Sequence, residues 1–426
     1  MDDELDAVAG RIRAALGGET GDAAAGLVVR YVRETMGRAA RQLADGSVFL
    51  ATGDIPAMWL RDSTAQVTPL LRIAGEIPGV AGFAQAVLRR QLACIAIDPY
   101  ANAFNAGPDG RGHVSDETGH GRQGPWVWER KFEVDSLCYP VRLAWLLHEL
   151  RQLTGTVDGE LAQAAPAILS TLRAEQDHER RSPYLFSRSD GPESDTLARD
   201  GRGSETAVTG LVWSGFRPSD DRCAYGFHVP GNMFLTVALR QLAELVPDIS
   251  GSALALRAEV AEGLRAHATT GEGIWAYEVD GFGNALTMDD ANVPSLLALP
   301  LLGYCRREDP TYLATRAFIL SAANPYYVSG KHASGIGSPH TPPGHVWPIS
   351  IAVAALTDRD RDPHVRVAAI EKLLGTRGGT DRIHESFDPD DPRTFTRDWF
   401  CWAEAVFADL VLEHCGYPLP GEGNVD

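Results

Sequence analysis

Apolar stretches of helical period alternate with long polar segments, and this alternation limits the fold more than any other feature of the chain. Apolar residues three and four apart predict helices over 4–16, 22–43, 62–75, 79–97, 135–155, 159–178, 229–246, 251–268, 291–302, 309–322, 346–356, 363–375 and 397–413. A short β-like piece, Ser47-Val48-Phe49-Leu50, stands among them. Most neighbouring helices are joined by short turns, but the connections at 98–134, 182–228, 323–345 and 376–396 are long. Loops of such length inside a compact domain are uncommon unless they carry function. Helical hairpins curled into a toroid satisfy the pattern, with short turns at one end and long loops walling a cleft at the other. The expectation is an all-α fold, an (α/α)6 barrel, as a single domain over 1–426. An α-solenoid is the competing architecture, but no sequence period is visible.

Composition narrows the partners. A net charge of −18 argues against nucleic acid or an anionic membrane surface and suits a neutral substrate. The acidic start, Met1-Asp2-Asp3-Glu4-Leu5, lacks the apolar core of a signal peptide, and no run of 18 apolar residues predicts a membrane span. The cysteines Cys94, Cys138, Cys223, Cys305, Cys401 and Cys415 are scattered, which favours free buried thiols over disulfides or zinc. A cytoplasmic protein is expected; the oligomeric state is left open.

Polar chemistry concentrates where the loops lie. Thr52-Gly53-Asp54-Ile55-Pro56-Ala57-Met58-Trp59-Leu60-Arg61-Asp62-Ser63 reads as a tight loop opening a helix, with Asp62 and Ser63 offering capping oxygens. Carboxylates and a guanidinium hydrogen-bond sugar hydroxyls, and an indole walls the CH face of a pyranose. Asp54, Arg61, Asp62 and Trp59 are therefore candidate sugar contacts, against the bland alternative of a helix start with an ion pair and a core Trp. Arg217-Pro218-Ser219-Asp220-Asp221 follows Trp213 and Phe216. Adjacent carboxylates in a desolvated place repel, raising one pKa toward that of a general acid. A solvated turn after Pro218 would read the same way. His384-Glu385-Ser386-Phe387 sits near three aromatics, and Glu385 is a candidate base for a water. Met288-Asp289-Asp290-Ala291-Asn292-Val293-Pro294 reads as a helix start whose polar groups are also placed to meet a ligand. Gly335 to Thr341 reads as a polar rim, followed by His345-Val346-Trp347-Pro348. Phe132-Glu133-Val134-Asp135-Ser136 marks the first long loop. Arg217, Asp221, Asp289, Asn292, His340 and Trp347 complete the candidate sugar contacts.

Together, Thr52 to Gln66, Trp213 to Asp221, Met288 to Pro294, Gly335 to Thr341 and His384 to Phe387 resemble glycoside hydrolase family 125, the exo-α-1,6-mannosidases, over about residues 25–413. The resemblance implies an (α/α)6 barrel that removes terminal α-1,6-linked mannose from oligosaccharides with inversion. It implies no metal and no other cofactor. It also implies an Asp of the Arg-Pro-Ser-Asp-Asp motif as general acid, Asp220 in preference to Asp221, and Glu385 as general base. Inversion then requires the two carboxyls to stand roughly 6.5–9.5 Å apart across one cleft. Rival readings are a glycosidase of another sugar, a helical enzyme with magnesium on Asp220-Asp221, Asp289-Asp290 and Asp390-Asp391, and a sugar-binding protein without catalysis.

Overall fold

The computed structural model describes residues 2–119, 123–153 and 155–419; both extremes of the 1–426 span expected as one domain, and 120–122 of the first long loop, lie outside the described residues. Twelve long helices follow one another among the described residues. They are α1 (Asp2–Leu16), α2 (Gly18–Arg33), α3 (Leu60–Arg72), α4 (Val80–Ile97), α5 (Cys138–Glu149) and α6 (Gly155–Glu175), then α7 (Val229–Leu245), α8 (Ser250–His267), α9 (Pro310–Ile319), α10 (Pro348–Leu356), α11 (Pro363–Gly375) and α12 (Cys401–His414).

They form two concentric rings, the (α/α)6 barrel. In the inner ring α3 packs on α5, α5 on α7, α10 on α12, and α12 back on α3. Inner helices are apolar almost all round, as a helix enclosed by others must be; every residue of α10 except Ala354 is buried. The outer helices lean on them: α4 on α3 and α5, α8 on α7, α11 on α10 and α12, and α2 on α12. α4 is long and apolar enough to cross a bilayer, but it is a member of this outer layer, packed between α3, α5 and α6.

Three expectations are corrected. The helix predicted over 22–43 ends at Arg33, passes through a wider turn at Glu34–Arg38, and gives way to a hairpin of Ala40–Gln42 with Val48–Leu50. Asp45 sets its turn by accepting hydrogen bonds from the backbone N–H and the hydroxyl of Ser47. Second, Asp62 and Ser63 do not cap α3. Met58–Trp59 pairs as a strand with Ala103–Phe104, so the helix begins at once at Leu60, and the Ser63 hydroxyl donates back to the Trp59 carbonyl at 2.7 Å.

Third, the helix predicted over 291–302 is a run of bends and turns, tied to α5 by Arg142, which donates to the Leu301 carbonyl at 2.8 Å. Pro294 and Pro300 bring no N–H to a helical ladder. Asp289 does not start a helix either; its carboxylate accepts the N–H groups of Leu296 (2.9 Å) and Leu297 (3.0 Å) and so replaces the missing ladder. Asp289 is fully buried. Asp289→Ala orphans both N–H groups and is expected to cost about 1–3 kcal/mol for each. Urea denaturation checks this; an unchanged midpoint would refute the role.

Candidate active site

The long loops meet at one end of the barrel. Met58–Trp59 pairs with Ala103–Phe104, which pairs with Val127–Glu129, so a three-stranded patch joins the stretch before α3 to the first long loop. Gly53 joins the same stretch to the fourth. With φ +131° it lies where a Cβ would stand 2.3 Å from the Trp399 carbonyl oxygen, and the Asp54 N–H donates to that oxygen at 3.0 Å. Only glycine allows this approach. The loops surround a pocket with about 410 Å³ of empty space, open to solvent, with Trp59, Arg61 and Asp62 among its lining and Asp220 and Glu385 both on its wall.

Asp220 sits at the tip of a turn with φ +70°, a conformation that Asp tolerates better than most residues. The Lys131 ammonium donates to its carbonyl at 2.7 Å and its own N–H donates to the Arg217 carbonyl, which holds the turn. The carboxylate accepts from the Asn102 amide at 3.1 Å and stands 3.6 Å from Arg61 Nη2. Behind it, Arg61 is a buried hub: Nη1 donates to Glu133 at 2.5 Å and to Asp135 at 3.1 Å, and Nε lies 3.7 Å from Asp62. Burial pushes Glu133 well above the usual carboxylate range; Arg61 opposes this, and Asp220 and Asp135 add to it. Burial also lifts Asp62 to about 6, against the pull of Arg61. For Asp220 burial is outweighed by Lys131, a hydrogen bond from Glu133, Arg61 and His340, which hold it low. The expected mutual repulsion of Asp220 and Asp221 is thus corrected. Asp221 turns away to the Ser219 hydroxyl (2.9 Å) and His340 (3.7 Å), and it too is held low. The carboxylate that confronts Asp220 is Glu133.

In the same lining Glu385 stands 3.7 Å from Arg397 Nη1. Arg397 also has a positive φ, +54°, and donates through Nε to Asp54 at 2.8 Å. Phe400 lies under the guanidinium, 4.5 Å from it, and Trp402, in the first turn of α12, completes the lining. Desolvation works against the charge of His340, but hydrogen bonding and charge from Asp221, with Asp220 and Glu385 adding, hold it up at about 9, so an imidazolium stands at the exposed edge of the pocket at neutral pH.

Of the predicted residues, Trp59, Arg61, Asp62, Asp220, Asn292, His340, Trp347 and Glu385 line this one pocket. Asn292 is set by its amide donating to Asp290 at 2.7 Å, and Trp347 by its indole donating to the Thr341 hydroxyl at 2.8 Å. Four expected sugar contacts lie outside the lining. Asp54 faces Arg397; Arg217 is spent on Glu278 at 2.5 Å; Asp221 holds His340; Asp289 is occupied by backbone. Each of these bonds ties the residue to another side chain or to backbone. Arg397, Phe400 and Trp402 were visible only as members of an aromatic-rich loop end. Asn102 and Lys131 carried no sequence signal, since their roles arise from partners far along the chain. Among the described residues no three His, Cys, Asp or Glu side chains converge as metal ligands do, and Asp390 and Asp391 lie on a separate surface turn.

The family described as metal-independent alpha-mannosidase (GH125) matches residues 23–412. The meiotically up-regulated gene 157 protein of Schizosaccharomyces pombe is 36% identical over 388 residues, covering 85% of this chain and 75% of its own. A Streptococcus pneumoniae protein from a family of metal-independent alpha mannosidases, solved in a non-productive complex with alpha-1,6-mannobiose, is 42% identical with a TM-score of 0.92, covering 97% of this chain and 98% of that one. The GH63 mannosylglycerate hydrolase of Thermus thermophilus is 14% identical with a TM-score of 0.52, over 90% of this chain and 99% of that one; that likeness is of fold.

Proposed function

Because this chain belongs to the GH125 family of metal-independent α-mannosidases, we propose that it removes non-reducing terminal mannose from α-1,6-linked oligosaccharides with inversion, Asp220 acting as general acid and Glu385 as general base. One observation carries the reading: two carboxylates from different long loops line a single pocket together with Trp59, Arg61 and Asp62. An inverting glycosidase needs one carboxyl to protonate the departing oxygen and another, on the far side of the anomeric carbon, to take a proton from the attacking water. A pocket of only about 410 Å³ takes a chain end more readily than the middle of a chain, which favours exo action. The streptococcal relative's complex with alpha-1,6-mannobiose supports the linkage.

In this reading Trp59 and Trp347 wall the sugar, while Asp62, Asn292 and the His340 imidazolium bond its hydroxyls. Asp54 fixes Arg397, which turns Glu385 toward the water. Asp221 fixes His340, and Arg61 keeps Asp62 and Asp220 in register. Proton NMR of α-1,6-mannobiose hydrolysis tests the proposal. The β anomer of mannose is expected to appear first. The α anomer appearing first would overturn inversion, and no cleavage would overturn the linkage.

A further inference from the structure

Glu133 is fully buried, yet it is pressed against other carboxylates. The Asn102 amide donates both to Asp220 Oδ1 (3.1 Å) and to Glu133 Oε1 (3.4 Å), and Arg61 reaches both with its two terminal nitrogens. Two carboxyls clamped by the same two donors lie side by side, in the arrangement of a carboxyl–carboxylate hydrogen bond. Two carboxylates cannot share such a bond without a proton between them. The surroundings point the same way. Facing the pair are the cations Arg61 and Lys131, with His340 at the rim, against the carboxyls Asp62, Glu129 and Asp135. Arg188 and Asp195 stand behind Lys131. Acids outnumber fixed cations around the pair, and Glu133 itself is shut off from water, which favours keeping a proton there.

We infer that Glu133 is the proton-holding partner of Asp220, a positioning residue that keeps one proton on the carboxyl pair for delivery to the departing sugar oxygen. This rests on the reading of Asp220 as general acid. Asp220 gives its proton to the glycosidic oxygen as the C1–O bond breaks and the bonding electrons leave with that oxygen. The attacking water forms the new C1–O bond and loses a proton to Glu385. The pair then regains one proton from solvent once product has left, and Glu385 returns one. While the proton sits on Asp220, the charge on Glu133 is matched by Arg61 and by the Ser136 hydroxyl, which donates to it at 3.2 Å.

Two variants test this through pH profiles of kcat/KM. Wild-type activity on α-1,6-mannobiose is expected to persist well above the usual carboxylate range, because the pair loses its proton late. Glu133→Gln removes the anionic partner and leaves Asp220 to Lys131 and Arg61. Its alkaline limb is expected to move at least about one pH unit toward acid, with a loss of about 10²-fold at neutral pH on mannobiose and a much smaller loss on dinitrophenyl α-mannoside, whose leaving group needs no proton. Ser136→Ala, nearly isosteric, withdraws a hydrogen bond from the Glu133 carboxylate and is expected to move the same limb the other way. If Glu133→Gln does not fold, Ser136→Ala decides alone. An alkaline limb that stays in place in Ser136→Ala, or in folded Glu133→Gln, would overturn the inference. Asp220→Asn separates the two claims: full activity there defeats the acid assignment itself, whereas an inactive Asp220→Asn beside an unshifted limb defeats only the role of Glu133.

Discussion

Glu385→Gln is expected to lower kcat on α-1,6-mannobiose by about 10²–10⁴-fold, the range that a positioned base contributes, while KM changes little. Gln keeps the shape and one acceptor oxygen but cannot accept the proton that water must lose. The structure gives this variant a good prospect of folding. Gln keeps the size of Glu385, and Arg397, 3.7 Å away, keeps Asp54 as its partner. A loss of 10³-fold corresponds to about 4 kcal/mol of transition-state stabilisation, far beyond what reorganised sugar contacts alone remove. Steady-state kinetics with circular dichroism as the folding control decides the matter. Near-wild-type turnover would end the assignment of Glu385 as base.

Asp220→Asn is expected to cost a similar factor of about 10²–10⁴ on mannobiose but much less on dinitrophenyl α-mannoside, because a stabilised phenolate departs unprotonated. The divergence between the two substrates is the diagnostic, since a misfolded or badly docked variant loses both alike. Asn accepts the φ of +70° found here as readily as Asp, and the Lys131 bond goes to the backbone carbonyl, so the turn keeps its anchor. Equal losses on both substrates would show that Asp220 positions the sugar and does not donate the proton.

The barrel was readable because inner and outer helices differ in ways that apolar spacing records directly, and because loop length betrays which end of a ring is open. The exception, 291–302, shows the limit. Its apolar residues keep a helical rhythm, and what unmakes the helix is a carboxylate, Asp289, whose bonds to Leu296 and Leu297 cannot be inferred from composition. The site shows the same division. Trp59, Asp62, Asp220 and Glu385 stood out through residue type and local grouping. The partnership of Glu133 with Asp220 did not, since it depends on Asn102 and Arg61 spanning three distant segments. Asp54, Arg217 and Asp221 read as ligand contacts because they are polar residues beside the right motifs; their bonds to Arg397, Glu278 and His340 join segments far apart in the chain and leave no trace in the sequence.

The inner ring is closed by α12, which lies against α3 and α2 and carries Trp402 into the pocket. Its seams to early segments are Arg72 to Asp409 at 2.6 Å and Arg30 to Glu404 at 3.1 Å. During synthesis, then, the flank of α3 that waits for α12 remains bare while some three hundred further residues leave the ribosome. A nascent chain that ends before α12 already carries Asp220 and Glu385 but lacks Trp402, so the pocket is completed only by one of the last segments to be made.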